Sequence, residues 1–201
     1  MRVLITGFDP FGEETINPAW EAVQLLPHQV GKLKLIKEQL PTSFTRALAK
    51  LETILEGAHF DYVVLVGQHG GVSALQIERV AINLANARMT DNDGYAPQEQ
   101  PVIPAAPTAY FASLPTQQIV EAICETGIPA QASFSAGTFV CNASMFYVLH
   151  LAATKYPHLK AGFIHVPYLP QQVVTQPGVA SLPKETTAAA LETALRVLGG
   201  Y

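Results

Sequence analysis

Cys141 is the residue most able to act as a nucleophile. It follows Ser-Ala-Gly-Thr-Phe-Val and begins an apolar segment that is predicted to be a helix. A thiol at a helix N-terminus faces free backbone N–H groups and the positive end of the helix dipole, and both favour the thiolate. The same N–H groups could stabilise an oxyanion. A buried core cysteine is the alternative, and position alone leaves the two interpretations even.

His165 is the histidine best placed to act as a general base. It stands near the end of the apolar stretch Ala161–Val166, just before Pro167, and so at the carboxyl end of a predicted strand. A base in that position could take the proton of a nucleophile held in a neighbouring loop. A hydrogen-bonded structural histidine is the alternative. The other cysteine, Cys124, has the spacing of a helix core residue, so we expect it to be structural.

A cysteine–histidine pair usually needs a third group that fixes the imidazole tautomer. Glu78 interrupts an apolar stretch and could supply it, although a strand-edge carboxylate paired with Arg79 is the simpler interpretation. Three aspartates compete for the same role: Asp9, Asp91 and Asp93. The two cysteines lack the Cys-x-x-Cys spacing of a zinc site, so we expect chemistry without a metal or other cofactor.

The elements that must position these residues alternate between strand and helix. The predicted strands are Val3–Thr6, Leu33–Leu40, Tyr62–Val66, Ala130–Phe134 and Ala161–Val166, and Leu75–Leu84 is predicted to contain another. The predicted helices are Pro18–Leu26, Ser43–Glu56, Thr116–Thr126, Cys141–Tyr156 and Lys184–Leu198, and Thr90–Thr108 is predicted to be a long loop. This alternation predicts an α/β fold: a mostly parallel, twisted sheet with helices on both faces, in a single domain over residues 1–201.

Ligands of such sheets bind beyond the carboxyl ends of the strands. The segments expected there are Gly7–Asn17, Gly67–Ser73, Ser135–Asn142 and His165–Gln172. The first of them carries Phe8 and Phe11 in a glycine-bounded loop that lacks the spacing of a dinucleotide or phosphate loop. Two aromatic rings in such a loop indicate an apolar wall of a ligand pocket.

Composition narrows the possible partners. With a net charge of −4, the chain has no basic excess for binding nucleic acid. No apolar run approaches the roughly 20 residues that span a membrane, and the first residues lack the pattern of a secretion signal. We therefore expect a cytoplasmic protein with reduced cysteines. Only 14% of the residues are charged, which favours additional burial between subunits.

Motifs spread along most of the chain carry a more specific indication. Gly-Phe-Asp-Pro-Phe-Gly stands at residues 7–12, and Gly-Phe-Ile-His-Val-Pro-Tyr stands at 162–168. Between them, in order, are Asn-Pro-Ala-Trp-Glu-Ala-Val at 17–23, Val-Gly-Gln at 66–68, Ile-Glu-Arg-Val-Ala-Ile-Asn at 77–83, Ala-Arg at 87–88, Asp-Asn-Asp-Gly at 91–94 and Ala-Gly-Thr-Phe-Val-Cys-Asn at 136–142. Together these segments resemble the pyroglutamyl peptidase family, the type I pyrrolidone-carboxylate peptidases.

The resemblance implies a cysteine omega-peptidase that hydrolyses the amide bond after an N-terminal pyroglutamyl residue of a peptide, through a thioester acyl-enzyme. It implies a triad of Glu78, Cys141 and His165, with Arg88 and the Cys141 backbone N–H holding the oxyanion. It implies a lactam pocket that includes Phe8, Phe11, Asn17, Gln68 and Phe139. It also implies an α/β/α sandwich that is metal-free, intracellular and commonly tetrameric.

One segment departs from the family pattern. The family usually has Gly-Gln-Ala-Gly-Gly-Arg, whereas this chain has Gly67-Gln-His-Gly-Gly-Val72, with His69 in place of alanine and Val72 in place of arginine. We expect the change to affect the pocket and its pH behaviour but not the triad. Pyroglutamate is a small neutral lactam, so apolar walls with one or two polar contacts suffice to bind it, and such a site should reject proline.

Two alternatives remain open. Another enzyme on a similar sheet is one, although the Gly-x-Ser-x-Gly motif expected of an esterase is absent and the post-strand loops hold few cations for the anion site of a nucleoside phosphorylase. A homologue that binds pyroglutamyl peptides without cleaving them is the other. The presence of Cys141, His165 and Glu78 argues against it.

Overall fold

The computed structural model describes residues 1–200, which form a seven-stranded sheet and a small two-stranded sheet. The nine strands are β1 (Arg2–Phe8), β2 (Gln29–Val30), β3 (Leu33–Leu40), β4 (Tyr62–Gln68), β5 (Leu75–Glu78), β6 (Val80–Ile82), β7 (Ala109–Phe111), β8 (Ala130–Ser133) and β9 (Lys160–Val166). The main sheet has the order β2-β3-β1-β4-β9-β5-β8, while β6 and β7 form the small antiparallel sheet. Four neighbouring pairs of the main sheet are parallel, and β2–β3 and β5–β9 are antiparallel.

Helices cover both faces of the main sheet. They are α1 (Pro18–Leu25), α2 (Phe44–Gly57), α3 (Thr116–Glu125), α4 (Val140–Thr154) and α5 (Lys184–Gly199). Val3 and Ile5 of β1 belong to the core beneath α1, α3 and α5, whereas Leu4 and Phe8 belong to the core beneath α2 and α4. The predicted α/β/α sandwich is therefore confirmed. Within residues 1–200, no helix is both long and apolar enough to cross a membrane.

The stretch Leu75–Leu84, which was predicted to contain one strand, contains two, and they belong to different sheets. The backbone N–H of Arg79 donates to Ser133 in the main sheet, and its carbonyl accepts from Ala112 beside the small sheet. The chain therefore leaves one sheet for the other at Arg79. Three short elements were not predicted: β2, β7 and the 3-10 turn Pro170–Gln172.

The start of α1 is tied to the loop that follows β1. The Asn17 side chain caps the helix by accepting from the backbone N–H of Ala19 at 3.0 Å, and its Nδ2 donates to the carbonyl of Asp9 at 3.1 Å. Gly7 lets α1 lie directly on β1, because a Cβ there would stand 2.6 Å from the backbone of Trp20. Asn17 therefore has a fixed place beside the post-strand loop.

The long segment between β6 and β7 includes the predicted loop Thr90–Thr108 and is held by a buried carboxylate. Asp91 accepts from the backbone N–H of Phe44 at 2.9 Å, and also from the N–H groups of Asp93 and Tyr95. The next side chain, Asn92, donates to Asp9 and to the carbonyl of Pro10. These bonds tie the segment to the start of α2 and to the loop after β1.

Candidate active site

A cavity of about 180 Å³ opens where the carboxyl ends of β1, β4 and β9 meet the start of α4. All four segments that were predicted to surround a ligand contribute to it. Its lining consists of Phe8, Phe11, Asn17, Thr42, Gln68, His69, Ala136, Gly137, Phe139, Val140, Cys141 and His165. His69 and Gly137 are exposed and so mark the mouth of the cavity. By comparison, an apolar cavity of about 150 Å³ holds benzene, so the volume suits one small ring.

Cys141 is held at the start of α4, as predicted from its sequence position. The helix begins at Val140 after an N-cap, Phe139, that makes no side-chain capping bond, so the N–H groups of its first turn lack an intrahelical partner. The thiol also lies against β4, since a Cβ at Gly67 would stand 2.9 Å from the Cys141 sulfur. Gly67 is the residue that leaves room for the thiol.

The environment of the Cys141 thiol favours its neutral form. Burial, followed by the nearby charge of Glu78, raises the pKa of the thiol to about 12, and the Cys141 backbone N–H lowers it only in part. The helix N-terminus was expected to favour the thiolate. The backbone N–H acts in that direction, but loss of water around the sulfur outweighs it in the resting site. The nucleophile must therefore give up its proton during the reaction.

His165 and Glu78 form a buried pair across two strands. The His165 Nδ1 and Oε1 of Glu78 are 2.7 Å apart, and both side chains are buried. Glu78 of β5 lies opposite Phe163 of β9, so His165 is its diagonal neighbour on the same face of the sheet. The simpler interpretation of Glu78 was a pair with Arg79, but Arg79 donates to Thr116 at 2.8 Å.

The competing aspartates are committed elsewhere. Asp9 accepts from the backbone N–H of Thr42 at 2.6 Å, Asp91 holds the start of α2, and Asp93 pairs with Arg46 at 2.6 Å. Glu78 is therefore the carboxylate that orients the imidazole. The other Glu78 oxygen, Oε2, is buried without a hydrogen-bond partner in the described part of the chain.

The pair with Glu78 determines the proton distribution on His165. A carboxylate only accepts, so Nδ1 carries the hydrogen and Nε2 is left with its lone pair. Burial lowers the pKa of His165; Glu78 opposes this, while His69 adds to it. The imidazole at rest is thus a neutral base. No hydrogen bond joins it to the Cys141 thiol within residues 1–200, as is common before a substrate binds.

Aromatic rings form much of the cavity wall. Phe8 stacks on Phe163 with ring centroids 6.3 Å apart, and the Phe11 and Phe139 rings are 6.1 Å apart. All five residues predicted for the lactam pocket line the cavity: Phe8, Phe11, Asn17, Gln68 and Phe139. One side of this pocket is therefore apolar, with two amide side chains beside it.

Three residues lie differently from what the sequence suggested or escaped notice. Arg88 does not line the cavity, and its side chain is exposed without a hydrogen bond to any described residue. Cys124 was expected in the core, yet it is exposed, with its thiol donating to the carbonyl of Ala130. Thr42 lines the cavity but was not predicted. It follows the predicted strand Leu33–Leu40, and the rule that ligands bind beyond the carboxyl ends of strands would have identified it.

His69, the residue that departs from the family pattern, stands beside the base. Its ring meets the ring of His165 edge-on with centroids 5.3 Å apart, and its Nδ1 lies 2.6 Å from the Gln76 amide oxygen. It is thus held at the mouth of the cavity. Among residues 1–200, no three His, Cys, Asp or Glu side chains are grouped so as to hold a metal ion.

Comparison with known proteins places this site in a wider group. A family model described as pyroglutamyl peptidase matches residues 1–199. The pyrrolidone-carboxylate peptidase of Thermococcus onnurineus is 46% identical over 196 residues, covering 98% of this chain and 98% of that protein. That of Enterococcus faecalis is 46% identical over 185 residues, covering 92% and 87% of the two chains. The crystal structure of Bacillus amyloliquefaciens pyroglutamyl peptidase I has a TM-score of 0.96 and 41% identity, covering 100% of this chain and 97% of its own.

Proposed function

Since this chain belongs to the pyroglutamyl peptidase family, we propose that Cys141, His165 and Glu78 are the catalytic triad with which it removes N-terminal pyroglutamate from peptides. The enzyme is a cysteine omega-peptidase. The assignment of the triad is supported chiefly by one observation: the His165–Glu78 hydrogen bond of 2.7 Å, on a histidine that shares a cavity with the Cys141 thiol. This pair supplies a base of fixed tautomer beside a nucleophile.

The reaction begins with two neutral groups. The thiol proton moves to Nε2 of His165 as the sulfur of Cys141 attacks the carbonyl of the scissile amide. The resulting oxyanion accepts from the backbone N–H of Cys141 at the free first turn of α4. Protonated His165 then gives its proton to the leaving amine, so that a thioester and a shortened peptide form. Water, activated by the same histidine, releases pyroglutamate.

The cavity wall supports the choice of substrate. Phe11 and Phe139 line the cavity as an apolar wall against which a five-membered lactam ring can pack, and Gln68 offers a polar contact for it. Pyroglutamate has no charged amine, so the cavity needs no carboxylate at this wall. The buried Glu78 remains free to serve His165.

Arg88 remains a proposed oxyanion residue. Its neighbour Met89 reaches the loop after β1, where a Cβ at Gly12 would stand 3.2 Å from the methionine methyl group. A side chain from this place could swing to the mouth of the cavity when a substrate binds. Arg88→Ala should then lower kcat while leaving the KM for a pyroglutamyl amide largely unchanged.

The decisive experiment compares the two cysteines on a chromogenic pyroglutamyl amide, with a prolyl amide as the substrate control. Cys141→Ala should lose at least about a thousandfold in kcat/KM, as expected for removal of a triad nucleophile. Cys124→Ala is the matched control and should keep wild-type kinetics, because this exposed thiol lies outside the cavity. Substantial turnover by folded Cys141→Ala would exclude the mechanism.

We further propose that the chain acts as one catalytic domain, in the cytoplasm, as a homotetramer. The seven-stranded sheet takes strands from β1 to β9 of the described residues, and only Tyr201 of the predicted domain 1–201 lies outside them. A reducing compartment suits two free cysteines, one of them the nucleophile. The low charged fraction of 14% and several exposed apolar side chains support self-association.

A further inference from the structure

The turn after β9 reaches back to the cavity through Gln172. This residue ends the 3-10 turn Pro170–Gln172, is half-buried and does not itself line the cavity. Its Nε2 donates to Oε1 of Gln68 at 3.0 Å, and its own Oε1 accepts from the backbone N–H of Leu169 at 2.8 Å. A cavity-lining amide is therefore connected, through a second amide, to the main chain.

These two hydrogen bonds allow only one orientation of both amides. The N–H of Leu169 can only donate, so Gln172 must turn its oxygen toward it and its nitrogen away. An amide nitrogen also only donates, so Gln68 must face Gln172 with its oxygen. The remaining polar group of Gln68 is its Nε2, and no residue in the described range 1–200 accepts from it.

We propose that Gln172 is a positioning residue that holds the Gln68 amide with its N–H donors toward the cavity, and thereby sets the preference for a ring carbonyl. The inference rests on the proposed function, which assigns the cavity to the pyroglutamyl ring. The ring carbonyl is the acceptor that pyroglutamate has and proline lacks. A donor fixed toward it rewards the lactam, whereas a prolyl ring would leave the same donor without water or partner.

Removing Gln172 takes away the reason for this orientation. The Gln68 amide can then turn its N–H donors away from a prolyl ring, so the wrong substrate no longer leaves them unpaired, and the donors are no longer held ready for the ring carbonyl. A carboxylate at position 172 should reverse the orientation of the Gln68 amide. It still accepts from Leu169, but its second oxygen demands the nitrogen of Gln68, so the oxygen of Gln68 is left to face the ring.

The test is the ratio of kcat/KM for pyroglutamyl and prolyl chromogenic amides. Relative to wild type, the ratio should fall about tenfold in Gln172→Ala and about a hundredfold in Gln172→Glu, each tenfold step being the effect of about one lost hydrogen-bond preference. Gln171→Ala is the matched control. Gln171 precedes Gln172 in the chain, and its side chain is exposed and makes no hydrogen bond within the described residues. Circular dichroism and alkylation of Cys141 should stay unchanged in all three variants.

A double-mutant cycle separates positioning from a general effect on structure. In a Gln68→Ala background the orientation of the amide no longer matters, so Gln172→Ala should cause no further fall in the ratio. An unchanged ratio in Gln172→Ala, or an equal fall in both backgrounds, would overturn the role of Gln172 while leaving the substrate intact. A wild-type protein without preference for the pyroglutamyl amide would instead overturn the substrate proposal, and the inference with it.

Discussion

The protonation state of Cys141 separates this site from one with a thiolate ready at rest. Because burial and Glu78 raise the pKa of the thiol to about 12, while burial lowers the pKa of His165, both groups are neutral before a substrate binds. Attack on an external alkylating agent gains little from proton transfer to His165, whereas attack on a bound substrate is coupled to that transfer. Reactivity toward the two should therefore differ in pH dependence.

We expect alkylation of Cys141 by iodoacetamide, measured in Cys124→Ala so that the exposed thiol does not react, to keep accelerating above about pH 9 without a neutral plateau. Near neutrality, kcat/KM for a pyroglutamyl amide should instead stay level. A plateau in alkylation between about pH 6 and pH 8 would show a resting thiolate–imidazolium pair instead.

His69 should affect the acid limb of the pH profile of kcat/KM. Its charge contributes to lowering the pKa of His165, so that the base stays unprotonated further into the acid range. His69→Ala should raise the pKa of His165, and the acid limb of kcat/KM should move to higher pH. His28→Ala is the control, because that exposed side chain is not part of the cavity. An acid limb that stays in place would contradict the assigned influence of His69.

At the scale of residues, the sequence predicted more of the pocket than of the electrostatics. Phe8, Phe11 and Phe139 could be predicted because they flank strand and helix ends, where chain position is nearly position in space. The pKa of Cys141 could not, since it depends first on burial in the folded chain and then on Glu78, which is 63 positions away in the chain and comes close only through the sheet.

Among the elements, the contact of α1 with β1 restricts the residue type most strictly, because it requires glycine at position 7. A Cβ at Gly7 would stand 2.6 Å from the Trp20 backbone, so Gly7→Ala must push the helix away. We expect a loss of about 1–3 kcal/mol in the free energy of unfolding by urea. Gly57→Ala is the matched control: nothing lies within 4 Å of its Cβ position at the end of α2, so its effect should stay within about 0.5 kcal/mol. Equal stability of the two variants would refute the close contact.

The direction of β5 shows what periodicity cannot predict. Apolar stretches identify a buried strand, but Leu75–Glu78 has the same composition whether it runs parallel or antiparallel to its neighbour. Its antiparallel pairing with β9 is what places Glu78 diagonally from His165. The three-residue β7 escaped prediction for a simpler reason: Ala109–Phe111 is too short to show alternation.

For the whole molecule, the proposed tetramer makes the clearest prediction. Phe111, Phe134 and Val174 are large apolar side chains that are 72%, 71% and 78% exposed in the single chain. Burial of such side chains between subunits would remove them from water and so favour association. Light scattering should give a mass of about four times 21.6 kDa, stable on dilution through the micromolar range. A mass of 21.6 kDa at all concentrations would reject self-association.

The position of β9 in the sheet has a consequence for how the enzyme folds during its synthesis. This strand is made late, from Lys160, yet it lies in the middle of the main sheet, where β4 and β5 both pair with it. Until it leaves the ribosome, those two strands have no common neighbour and the nucleophile has no base. Peptidase activity should thus arise only in a nearly finished chain, and in refolding it should lag behind the far-ultraviolet dichroism of the helices. Turnover by a fragment ending at Leu159 would disprove this order of events. If the order holds, the nascent chain cannot cleave peptides before β9 has been synthesised.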